Sequence, residues 1–239
     1  MANSFETPTY NSAKTFSYIV IALFAGIGLC SIFYIIMCFF LIASPDTQIN
    51  LANGTAINPV VGLIGLASTL ESLLRLLVIV FFLIWEYRSF KNLTALKAES
   101  VEFSPGWAVG WWFIPLANLV KPFQAIRELW NESDPEFDEE AVFHYKGGGT
   151  PPIIGFWWAF FLLSNVANNL SNSLLNANNG KLFEGFPIFF IIFSLLQLAA
   201  IILVVLIVKR ITEKQEERFS KIMKTQQFTP PPPEFYQNG

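Results

Sequence analysis

Charge is scarce in this chain. Only 14% of its 239 residues are charged, against roughly 25% in soluble domains. Cysteine is nearly absent too. Cys30 and Cys38 lie in one apolar run, and on a helix their eight-residue spacing is about 12 Å of rise, too far for them to bridge each other. No disulfide framework follows. A single histidine, His144, and no cysteine outside the apolar runs leave no ligand set for a structural zinc site. The acidic stretch around Asp134, Glu136, Asp138, Glu139 and Glu140 matches no defined metal loop and reads as solvated, so no metal is expected. Gly147–Gly149 lacks the strand, helix and lysine of a phosphate loop, and no cofactor is implied. No G-x-S-x-G or HExxH is found. No basic patch interleaved with aromatics points to nucleic acid, and no internal repeat is visible.

What remains is apolar. The chain is 53% hydrophobic and holds 25 phenylalanines. Four runs, 16–43, 59–85, 153–175 and 187–208, reach the ~20 residues a helix needs to cross the hydrocarbon layer. The fold class is therefore all-α: a polytopic membrane protein with four transmembrane helices. Residues 1–15 form an N-terminal segment, 16–208 the membrane domain and 209–239 a charged, proline-rich tail. The first run is too long for the ~7–15-residue core of a cleavable signal, and reads as a spanning helix.

Basic residues set the orientation. Loop 44–58 has none, and 176–186 has only Lys181. The segment between runs two and three carries Arg88, Lys91, Lys97, Lys121, Arg127 and Lys146, and six more follow run four. With Lys14, thirteen of the fifteen fall on one side, so both termini are expected in the cytoplasm.

A fifth apolar stretch, Ser104–Val120, is short and broken by Pro105, Gly106, Gly110 and Pro115. A full crossing would violate the charge rule, so it reads as a re-entrant or interfacial element, with Trp107, Trp111 and Trp112 at headgroup depth. Beyond Pro115 the pattern turns helical. Leu119, Phe123, Ile126 and Trp130 share one face and Lys121, Gln124, Arg127 and Glu128 the other, as in a helix lying along the membrane. The element as a whole covers 104–130, with an acidic loop at 131–146. Run two is expected to continue as a helix towards Leu96. The tail after Lys209 reads as a short charged helix ending in Pro230–Pro233, an extended proline tract.

The strings F-F-L-I-W-E-Y-R-S-F-K-N-L and S-P-G-W-A-V-G-W-W-F-I-P-L-A-N-L-V-K-P-F-Q-A-I-R-E-L-W resemble a family of bacterial membrane proteins known only as a domain of unknown function. The matching positions are Trp85, Arg88, Asn92, Pro105, Trp107, Ala108, Gly110, Trp111, Trp112, Pro115, Asn118, Pro122, Glu128, Leu129 and Trp130. The resemblance implies a bacterial inner-membrane protein. It carries no activity or catalytic residue.

One polar cluster lies within the spans. Glu71 is twelve residues in from Pro59 and fourteen from Trp85, near mid-bilayer, where a charge costs roughly 2.5–3.5 kcal/mol on insertion scales. Arg75 follows at i+4, the better orientation for pairing. Ser164, Asn165, Asn168, Asn169 and Asn172 recur at helical spacing in run three, and Ser194 and Gln197 lie in run four. Ser31 and Tyr34 bring run one to a similar level. Two readings stay open: polar glue between helices, or a site in which Glu71 titrates or binds a cation with Arg75 as counter-charge.

Three functional classes follow. The favoured one is a non-enzymatic structural, regulatory or partner-binding membrane protein, engaging a protein through the tryptophan motif or the proline tail. The alternative is a small oligomeric transporter or channel around Glu71 and Arg75. The third binds or acts on lipid headgroups through Glu86, Arg88, Lys121, Arg127 and Glu128. All share one topology. Cysteine labelling in intact cells should place Lys97 and Lys214 in the same compartment; labelling from opposite sides would contradict the threading.

Overall fold

The computed structural model describes residues 9–43, 59–98, 101–135, 149–177 and 186–228. Among them every regular element is helical. These are α1 (Lys14–Ala43), α2 (Pro59–Ala95), α3 (Pro105–Gly110), α4 (Lys121–Glu132), α5 (Pro152–Ala177) and α6 (Phe186–Phe228), with 3-10 turns at Trp111–Phe113 and Ala117–Leu119. Four helices, α1, α2, α5 and α6, are long and apolar enough to cross a membrane. The outward-loop residues, most of the acidic loop and the proline tract lie outside the described residues.

The long helices form an arc rather than a closed bundle. α1 packs on both α2 and α6, α5 packs on α6, and among the described residues no Cα of α2 comes within 8 Å of one in α5. α1 is apolar all round, so no amphipathic stripe selects its partners; small residues do. A Cβ on Gly26 would lie 3.2 Å from Leu74 of α2, and one on Gly28 would lie 3.6 Å from Leu198 of α6. Gly26 thus lets Leu74 approach closely, while Gly28 faces α6 at an ordinary contact distance.

Many of the fully buried side chains lie in the C-terminal part of α2, in α4 and in the middle of α6, among them Trp85, Phe90, Leu93, Ile126, Leu129, Ile207 and Ile211. α2 continues to Ala95, as the sequence pattern predicts. The tail does not form a separate helix: α6 runs unbroken through Lys209 to Phe228. One stripe carries the core through the change from apolar to charged sequence, with Val204, Val208, Ile211, Gln215 and Arg218 all buried.

Its polar members tie the elements together. Gln215 Nε2 donates to Ser89 O at 3.0 Å and to Ser133 Oγ at 3.1 Å. Asn92 clasps the N-terminal segment, accepting from Asn11 N at 3.0 Å and donating to Asn11 O at 2.9 Å. Tyr10 and Ser12 both donate to Glu216, and the Tyr10 ring stacks on Phe219 at 4.3 Å. Arg218 donates to the carbonyls of Glu132, Asp134 and Lys97. Lys97 has φ 54 and closes α2 with bonds from Lys97 N to Thr94 O and Ala98 N to Leu93 O, a left-handed helix stop usually given to glycine. Here the Arg218 bond holds the turn from outside.

The segment 101–132 fills the arc's open side at this end. Ser104 caps α3, accepting from Trp107 N, with Pro105 at the first helical position, where its missing N–H costs nothing. α4 buries Pro122, Ala125, Ile126 and Leu129. This corrects the sequence reading in two respects. Leu119 lies outside the helix and is exposed, because Leu116 at φ 65 breaks the chain direction first. The apolar face of α4 packs into the protein core rather than onto a membrane surface.

Candidate functional site

The arc leaves a cleft between α2 and α5. It encloses about 420 Å³. α1 and α6 form its back wall through Phe24, Ile27, Phe193 and Ile201, and Trp112 and Phe113 of the insert close one end. The walls are mostly aromatic and aliphatic. The polar exceptions, Arg75, Gln197, Ser164, Asn165 and Asn168, come from three different helices.

Glu71 and Arg75 pair as their spacing predicts. Arg75 Nε and Nη2 donate to Glu71 Oε1 at 3.0 and 2.6 Å. Gln197 Nε2 from α6 donates to the same oxygen at 2.8 Å. One carboxylate oxygen thus takes three donors from two helices, and Tyr34 and Cys30 of α1 lie close enough to feel its charge. The Glu71 side chain is 12% exposed and that of Arg75 48%. The acid turns inward between helices and the guanidinium faces the cleft.

The asparagine row does not join this knot. Asn165 Nδ2 donates to Phe161 O at 2.7 Å and Asn169 Nδ2 to Asn165 O at 2.9 Å, each one turn back on its own helix. Asn165 and Asn168 line the opposite wall of the cleft; Asn169 does not. The Asn172 side chain lies outside the described residues. Ser31 and Ser164 likewise bond their own helix backbones.

The tryptophan motif is consumed in building the closed end. Trp85 is wholly buried and donates to Thr212 Oγ1 at 3.0 Å. Trp112 donates to Glu86 Oε2 at 2.8 Å, and its ring meets Phe82, Trp158 and Phe161 edge-on within 6.3 Å. Trp158 of α5 donates to Leu119 O at 3.0 Å, tying α5 to the insert. Trp107 lies against Trp111, which with Phe103 lies beneath the Lys121 ammonium. Gly110 lies beside that stack, where a Cβ would meet the Trp107 ring at an ordinary contact distance of 3.6 Å. Pro115 O accepts from Ala117 N, and Asn118 N donates to Ile114 O, forming the turn that reverses the chain. Pro122 and Leu129 are buried in α4, and Ala108 in α3. Arg88 sits over Phe16 and reaches Ser12 O, and Trp130 lies beneath Lys214.

Two headgroup candidates from the sequence are placed elsewhere. Glu86 is fully buried, and its Oε1 has no hydrogen-bond partner among the described residues. Glu128 accepts from the backbone of Glu102 and Phe103 at 2.8 and 3.0 Å; burial pushes its carboxyl above the usual range while those bonds pull it back. Among the described residues no three His, Cys, Asp or Glu side chains gather as metal ligands. The sequence reading missed the cleft-lining aromatics, Phe24, Phe82, Trp157 and Phe161, because nothing in an apolar run marks which phenylalanines face a gap. It also missed Gln215 and Arg218, although the buried stripe from Val204 could have been followed into the charged tail.

The pair has a testable energetic signature. Arg75→Leu should lower unfolding stability by roughly 1–3 kcal/mol, because it leaves the inward-facing carboxylate with Gln197 as its remaining donor. Glu71→Leu should cost less, since the freed guanidinium already faces the cleft. Combining the two should recover most of the loss. Unfolding in mixed micelles reads all three; strictly additive losses would contradict the pairing.

No curated protein and no solved structure matches the chain. A family model does match, over residues 51–213, which takes in both the cleft's polar groups and the tryptophan motif. The chain belongs to the family described as Domain of unknown function (DUF4328).

Proposed function

We propose that this is a non-enzymatic protein of the bacterial inner membrane that holds a lipophilic ligand in the cleft between α2 and α5. Both termini face the cytoplasm. The 101–132 insert rests at the inner leaflet, its exposed Phe113, Leu116, Leu119 and Val120 suited to interfacial contact. The observation that carries the reading is the gap itself. Two spans are held apart by their neighbours, and the space between them is apolar along most of its length with a polar patch at one level. Its volume falls within the ~300–1,000 Å³ usual for small-molecule sites.

The groups facing the cleft are amides, a hydroxyl and a guanidinium, which bind and orient. A transporter in which Glu71 carries a cation is less well supported, because its Oε1 already takes three donors. Partner binding through the tryptophan motif is also less well supported, because most of those side chains are used within the protein. The proline tract at 230–233 lies outside the described residues and stays a candidate contact for a protein partner.

The test is purification of the full chain in mild detergent and mass spectrometry of what co-elutes. One lipophilic molecule per chain is expected, and Ser164→Phe with Ala200→Phe, which fill the cleft, should displace it. A wild-type chain that carries only a protein partner, with the cleft empty, would overturn the proposal.

A further inference from the structure

The polar patch of the cleft narrows the ligand's chemistry. We infer that the ligand is a single-chain amphiphile with a carboxylate head, bound head-first on Arg75 with its chain running along the aromatic wall towards Trp112. This rests on the cleft reading above and adds the ligand class to it.

The guanidinium carries the argument. Its Nε and one hydrogen of Nη2 are committed to Glu71 Oε1. Gln197 holds that carboxylate from the other side, so Glu71 acts as an anchor that fixes the direction of Arg75. Nη1 makes no hydrogen bond among the described residues, and together with the second hydrogen of Nη2 it forms a two-donor fork. A planar fork of this kind matches the two oxygens of a carboxylate. The difference in exposure, 48% against 12%, makes the cation the half of the pair that a ligand meets.

The surroundings favour the same head. A cation would be repelled by Arg75 at close range. A neutral head would offer the charged fork only a weaker neutral acceptor, whereas an anion forms the stronger charge-assisted bond. A phosphate monoester brings a second charge and a third acceptor oxygen, and among the described residues lining the cleft Arg75 is the only basic side chain. Beyond Arg75 the lining is Phe82, Phe161, Trp157 and Trp112, with Phe24 and Ile27 behind. This is a sleeve for hydrocarbon. About 420 Å³ is near the lower end of the usual ligand range, which suits one chain rather than two.

The experiment uses the full chain in nanodiscs of uncharged lipid. The probes are three single-chain photo-crosslinkers of equal length, each with a mid-chain diazirine: a carboxylic acid, the alcohol and the phosphate monoester. The acid should label peptides of α2 and α5 around Phe82 and Phe161, saturating at a concentration about tenfold or more below the alcohol. Glu71→Gln/Arg75→Gln, which keeps hydrogen-bonding amides beside Gln197, should bring acid and alcohol together. If that variant does not fold, the acid–alcohol comparison in the wild type decides alone. Equal labelling of the cleft by acid and alcohol, or preference for the phosphate, would overturn the carboxylate while leaving the cleft proposal standing. Failure of all three probes to label the cleft would overturn both.

Discussion

Apolar helices gain little from meeting each other in lipid, because the chains they displace are as apolar as they are. Something other than hydrophobic burial must therefore fix how these four spans stand. In this protein that constraint lies where the polar C-terminal parts of α2 and α6 are locked to the N-terminal segment and the 101–132 insert. Gln215, Asn92 and Arg218 make the lock: Gln215 and Asn92 each bond to backbone and to a side chain, and Arg218 donates to three backbone carbonyls. Such bonds are costly to leave unmade once buried. They specify one arrangement where greasy surfaces would tolerate several.

The cleft follows from that lock. With α1 and α6 as the shared back wall, α2 and α5 are each anchored at one end. α2 is held through Trp85, Asn92 and the turn at Lys97, and α5 through Trp158 on the insert. Neither has a reason to lean on the other. Near the middle of the spans, the contact of Glu71 with Arg75 and Gln197 joins α2 to α6 and leaves α5 out. Trp112 then seals the lower end of the gap while its indole N–H is held by buried Glu86. The tryptophan motif thus has a structural task, and the cleft's polar groups, Arg75, Gln197, Ser164, Asn165 and Asn168, come from other segments.

How much of this was legible depended on which physical signal each feature leaves in the chain. Run length suffices for the four long apolar helices. The i,i+4 spacing sufficed for the Glu71–Arg75 pair, and counting depth brought Gln197 to it. The neighbours of α1 were not legible, because a helix that is apolar on every side offers no preferred face; only Gly26 hints at close approach. The asparagine row was misleading in part. Asn165 and Asn169 satisfy themselves on their own helix backbone, an option sequence spacing does not distinguish from contact across helices. The face of α4 was misjudged because the helical pattern was carried back through Leu119, whereas the left-handed residue at Leu116 ends one element before the next begins. The buried ends of α2 and α6 were hidden for the opposite reason: a charged stretch reads as solvated, and there the polar residues are the core.

The central claim is that the lock at one end keeps α2 and α5 apart. Electron-spin distance measurements across the gap test it most directly, with labels at the exposed positions Leu73 and Leu170 in ligand-free protein reconstituted in a bilayer. The account predicts a narrow distribution for separated helices, which broadens when Arg218→Ala loosens the lock. Helices closed to the contact spacing of about 8–10 Å between axes in the empty wild-type protein would contradict it.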